Sequence, residues 1–79
     1  MWIKTPDEMY INADNVISLE WIRYKEPIPS GYKHAFNANL KNGSTQLIVQ
    51  CKTDDEKEAI NENIKSYLAH GGVYFVPKF

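Results

Sequence analysis

One cysteine and two histidines are all that this chain of 79 residues offers to disulfide or soft-metal chemistry. A lone thiol excludes an intramolecular disulfide, and no spacing of Cys and His suggests a metal framework. The four glycines never combine into a phosphate-cradling loop, so a nucleotide site of that kind is excluded too. No apolar run approaches the roughly 20 residues of a membrane span, so no membrane partner is expected. The N-terminus has no basic segment followed by an apolar run, which gives no sign of a signal peptide and makes the cytoplasm the expected location. Nine Lys and Arg against ten Asp and Glu leave a net charge of −1, and the Lys and Arg are scattered, not blocked. A nucleic-acid binder usually shows a basic face, so nucleic acid is a disfavoured partner.

What is present is concentrated between Phe36 and Leu68. Asn42-Gly43 is a strong hairpin signal, because a two-residue type I′ turn needs positive φ at both central positions. Pairing outward from that turn sets Leu40 opposite Thr45, Ala38 opposite Leu47, Phe36 opposite Val49 and His34 opposite Cys51. Strand alternation then gathers Phe36, Ala38, Leu40, Leu47, Val49 and Cys51 on one face. Ala35, Asn37, Asn39, Gln46, Ile48 and Gln50 fall on the other. Thr53 followed by Glu56 has capping-box spacing, and Asp54, Asp55, Glu56 and Glu58 favour the positive end of a helix dipole. Ile60, Ile64, Tyr67 and Leu68 form one apolar stripe, with Asn61, Glu62, Lys65 and Ser66 facing away. His70-Gly71-Gly72 ends the helix. The stripe is expected to pack on the Phe36/Val49 face.

Before this unit, Met1–Lys4 reads as a strand, Pro6-Asp7 as a turn and Met9–Asn12 as a hairpin partner. Asn12–Asn15 suits a tight corner or a single helical turn. Val16–Tyr24 is the longest strand candidate, with Ile17, Leu19 and Trp21 on its core face. Lys25–Gly31, with Pro27 and Pro29, reads as an extended surface loop. After the helix, Val73–Phe79 forms a last strand that either docks on its own sheet or adds to another chain. The fold class is therefore α+β: an antiparallel sheet of five to six short strands, in the order β-β-β-β-β-α-β, with one helix on one face. The length accommodates a single domain, residues 1–79.

No catalytic constellation emerges. His34 and Cys51 face each other in the proposed ladder, but two ligands are too few for a structural zinc site. The serines lack an oriented base, and the acidic residues after Thr53 are accounted for by the helix start. No enzyme activity, cofactor or metal is expected. The remaining signal is an apolar excess outside the helix-covered face. Trp2, Tyr10, Ile22, Tyr24, Ile48, Tyr74 and Phe75 make the candidate interaction surface, since aromatics among amides are typical of interface centres. A homodimer or small oligomer is expected, or a different protein partner. The alternative is a single-strand nucleic-acid platform built from Tyr10, Arg23, Tyr24, Lys25 and Tyr32.

Tyr10-Ile11-Asn12-Ala13-Asp14-Asn15-Val16-Ile17-Ser18-Leu19-Glu20 resembles the start of short bacterial proteins of the FlbD family, encoded with flagellar genes. Leu40-Lys41-Asn42-Gly43-Ser44-Thr45-Gln46-Leu47-Ile48-Val49 and the acidic helix start after it are similar to that family as well. About two thirds of the chain is covered; the Lys25–Tyr32 insertion and the strand after Gly72 depart from the pattern. The resemblance implies a small cytoplasmic accessory protein without catalytic residues. It assigns no site residue.

Overall fold

The computed structural model describes residues 1–26 and 28–78; Pro27 and Phe79, which the sequence reading placed in the surface loop and in the last strand, lie outside the described residues. The elements are β1 (Trp2–Lys4), β2 (Tyr10–Asn12), a 3₁₀ turn (Ala13–Asn15), β3 (Val16–Arg23), β4 (His34–Leu40), β5 (Thr45–Cys51), α1 (Asp54–His70) and β6 (Val73–Phe75). The class is α+β and the element order is the expected one. The strands divide into two three-stranded sheets, β2-β1-β6 and β3-β4-β5. β6 lies parallel to β1, while every other pairing is antiparallel. The last strand therefore docks on a sheet of its own chain.

Turn chemistry explains the first departure from the expected register. Gly43 N–H bonds Leu40 C=O and Leu40 N–H bonds Ser44 C=O. Gly43 takes φ +87°, whereas Asn42 is not in the positive-φ region. This is a type I turn followed by one left-handed residue, one residue longer than the type I′ turn suggested by Asn-Gly. The extra residue pairs Asn39 with Thr45, Ala38 with Gln46 and Asn37 with Leu47. A β-bulge at Ile48 then restores the anticipated register, so that Phe36 faces Val49 and His34 faces Cys51. The two irregularities cancel in register but not in the side chains between them. Ile48 is 2 % exposed and Leu47 is 41 % exposed, the reverse of the alternating pattern.

A second bulge, between Val16 and Ser18, has a similar effect on β3. It turns Ile17 out to 68 % exposure, while Leu19 and Trp21 pack on the core as expected. The helix begins where the capping box predicts: Thr53 Oγ1 accepts from Glu56 N–H, and Glu56 Oε1 accepts from Thr53 N–H at 3.0 Å. Ile60 and Ile64 are buried against Phe36, Ile48, Val49 and Cys51, with Tyr67 partly buried beside them. Leu68 departs from the stripe and is exposed. Asn61, expected to face away, accepts a 2.7 Å bond from the Trp21 indole N–H. That bond ties the helix to β3, and the indole stacks on Phe36 at a 4.4 Å ring separation.

Substitutions at the bulge should report these placements. Ile48→Val is expected to cost about 1 kcal/mol of unfolding free energy, whereas Leu47→Ala should stay within about 0.5 kcal/mol. Denaturant unfolding measures both, and equal costs would mean that the bulge does not sit at Ile48.

Candidate interaction surface

In the first sheet the register places side chains in rows. Ile11, Ile3 and Tyr74 form the inner row, and all three are buried in the shared core. The neighbouring rows are Tyr10–Lys4–Phe75 and Asn12–Trp2–Val73, which alternation sends to the opposite face. Tyr10 is 58 % exposed, Phe75 61 % and Trp2 44 %. Lys4 sits between two rings, its Nζ lying 5.7 Å from the Tyr10 centroid and 5.6 Å from that of Phe75. Ammonium over an aromatic face is attractive, so the Lys4 side chain is drawn along the surface. Trp2, Tyr10 and Val73 border an open depression of about 380 Å³.

The candidate residues therefore separate into three groups. Trp2, Tyr10 and Phe75 converge on the outer face of the first sheet. Val73 joins them, and the sequence reading overlooked it as a surface residue because its strand could not be oriented without a partner. Ile22 and Tyr24 belong to the other sheet. Ile22 is exposed on its outer side, and the Tyr24 hydroxyl accepts a 2.8 Å bond from Gln50 Nε2. Ile48 and Tyr74 need correction: both are core residues with no surface to offer. The bulge turns Ile48 inward, and the parallel pairing of β6 places Tyr74 beside Ile3, where its ring stacks on Tyr67 at 5.1 Å. Burial raises the Tyr74 hydroxyl above its ordinary pKa, and the nearby Asn63 offsets part of that effect without a hydrogen bond of regular geometry.

For the nucleic-acid alternative, Arg23, Tyr24, Lys25 and Tyr32 meet around a shallow depression of about 200 Å³ that also contains Glu26 and Lys33. Tyr10 is on the first sheet, away from that group. Another apolar groove, of about 350 Å³, opens between the start of β3 and the end of α1, bordered by Ile17, Leu19 and Leu68. Ile17 and Leu68 are residues that simple periodicity assigned to the core. Only the β3 bulge shows why Ile17 escapes it.

Cys51 and His34 are both buried. Burial, aided by the Glu56 carboxylate, pushes the Cys51 thiol up to about 11, so it is protonated at neutral pH and is not a thiolate nucleophile. His34, opposite it in the ladder, directs Nε2 to Asp54 Oδ1 at 2.7 Å instead. Among the described residues no group of three or more His, Cys, Asp or Glu is placed to hold a metal ion. No helix among them is long and apolar enough to cross a membrane.

Nothing among protein-family models, curated proteins or solved structures matches the chain.

Two measurements follow from the buried pair. Native Cys51 should resist a thiol reagent at pH 8 and react at the rate of a free thiol once denaturant is added; rapid native labelling would contradict its burial. The Asp54 carboxyl is held below its ordinary 3.8, first by the His34 hydrogen bond. A lowered folded pKa contributes stability that is complete above the unfolded value and is lost as pH falls through the folded one. Asp54→Asn should remove that acid-side slope from a thermal-unfolding pH series, and an unchanged slope would show that the bond contributes nothing. Because the carboxylate is largely exposed, added salt should shrink the difference.

Proposed function

We propose that this protein is a non-enzymatic interaction module that self-associates through the outer face of its first sheet. The observation that carries the reading is the in-register row Tyr10–Lys4–Phe75, flanked by Trp2 and Val73, on a face with no covering element among the described residues. Large rigid rings bury much area at small entropic cost, and such residues dominate interface energetics. A cation already seated against aromatic rings loses less on desolvation than a fully hydrated one. The sheet is a short rigid platform whose inner row is locked in the core, so the outer rings are presented without a folding penalty. β6 supplies Val73 and Phe75, and the C-terminal strand thereby contributes to assembly by its side chains. A cytoplasmic accessory role, with a homodimer as the working unit, fits this surface.

A second reading, single-strand nucleic-acid binding, is favoured by the grouping of Arg23, Tyr24, Lys25 and Tyr32. Glu26 in the same depression and the net charge of −1 weaken its electrostatic footprint. In addition, Lys52 lies over the Tyr32 ring, which partly occupies that stacking face.

The test is the mass in solution by light scattering behind size-exclusion chromatography. At the most dilute loading that gives a scattering signal, wild type is expected to run as a dimer, and Tyr10→Glu with Phe75→Glu is expected to shift it to the monomer with a thermal midpoint within a few degrees of wild type. A wild-type monomer, or a double variant that stays dimeric at that dilution, would exclude this face as the contact. Charge at Ile48 is no substitute for these changes, since it would unfold the core.

A further inference from the structure

The second sheet ends in an open edge. Among the described residues its order is β3-β4-β5, so β3 pairs on one side only. The edge formed by β5 is flanked: Gln46 Nε2 contacts Met9 Sδ at 3.6 Å, and Pro6, Asp7 and Lys78 line the surface along Leu47–Gln50. Both edges of the first sheet are only three residues long. β3 runs for eight residues, with no Pro, Gly or Lys, and its bulge is confined to the start. Natural sheets usually blunt an edge of this kind; this one is left regular from Ser18 to Arg23.

The hydrogen-bond phase identifies which groups are unpaired. Tyr24 N–H donates to Lys33 C=O at 2.9 Å. Alternation along an antiparallel ladder then directs the backbone of Ser18, Glu20 and Ile22 toward β4. The N–H and C=O groups of Leu19, Trp21 and Arg23 point to the free side, where no backbone partner exists among the described residues.

We propose that this edge pairs with β3 of a second copy, antiparallel about Trp21, to join two three-stranded sheets into one of six strands. Self-complementarity selects the occupant. With a twofold axis at Trp21, Leu19 lies opposite Arg23 of the second copy and every outward N–H and C=O of Leu19, Trp21 and Arg23 is paired. The aliphatic stem of Arg23 covers Leu19, and no like charges meet directly. The neighbouring registers are worse. Centring on Glu20 sets two carboxylates opposite each other and drives the pairing into the bulge at Ile17. Centring on Ile22 carries Leu19 past the end of the strand to Lys25. Twofold self-pairing is also the commonest closed symmetry. This contact is separate from the aromatic face and does not depend on it.

The decisive experiment uses Tyr10→Glu with Phe75→Glu as background, which removes the aromatic-face contact. Mass and residue-resolved amide exchange are followed over a roughly hundredfold rise in protein concentration. The expected result is a variant that is monomeric at the dilute end and dimerises as concentration rises, with the Leu19, Trp21 and Arg23 amides slowing at least about tenfold while those of Ser18, Glu20 and Ile22 are slow throughout. Arg23→Pro, which deletes an outward N–H and leaves the β4 ladder intact, should be monomeric. Arg23→Ala, which retains that N–H, should still dimerise. A monomer at every concentration, a dimer with unprotected Leu19 and Trp21 amides, or an Arg23→Pro dimer would overturn the edge pairing. If the background variant keeps the wild-type dimer mass even at the dilute end and these amides are protected there, the edge pairing stands and the aromatic-face contact fails.

Discussion

The two three-stranded sheets share one core, and the structure depends on that sharing. Ile60 and Ile64 of α1 supply the shared contact: they belong to the same buried cluster as Ile3, Ile11 and Tyr74 from the first sheet and Phe36, Ile48 and Val49 from the second. A chain this short buries a smaller fraction of its surface than a larger domain does, so one helix serving both sheets is an economical solution. The Trp21–Asn61 bond and the Tyr67–Tyr74 stack fasten that helix to each sheet in turn. Both fastenings fix its rotation as well as its position. With one face of each sheet committed inward, the opposite faces and the long β3 edge are left outside.

Much of this was legible in the residues. Thr53 and Glu56 marked the helix start because capping is local chemistry, decided by four consecutive residues. The pairing of His34 with Cys51 and Phe36 with Val49 was also readable, although for an incomplete reason: the longer Gly43 turn and the Ile48 bulge cancel. Between those two features the reading inverted Leu47 and Ile48, since a bulge leaves period-2 hydrophobicity with one residue of ambiguity. Ile17 was misplaced on the same grounds. The division into two sheets was not legible, because strands of three residues carry too little pattern to name their neighbours. Tyr74 was read as surface because the parallel register with β1, settled by the whole fold, decides which of Val73, Tyr74 and Phe75 turns inward.

The candidate surface follows the same division. Trp2, Tyr10 and Phe75 could be listed from composition, but their convergence around Lys4 arises only when β1 takes the middle of its sheet, with β2 on one side and β6 on the other. The aromatic face and the β3 edge also differ in the physics of recognition. The face offers area and ring electrostatics, which accept many shapes, while the edge offers directional backbone groups in fixed phase, which accept only an extended strand. A small protein with both can combine adhesion with register.

The position of β1 has a consequence for the chain during its synthesis. Trp2–Lys4 is made well before its parallel partner Val73–Phe75. Until then Ile3 has β2 alone beside it, and one side of β1 is a bare template. The β3-β4-β5 meander and α1 contain mainly local pairings and can form early, whereas closing the first sheet must await a contact between residues far apart in sequence, the slow kind to make. A chain interrupted before Val73 would leave its central strand β1 paired on one side only.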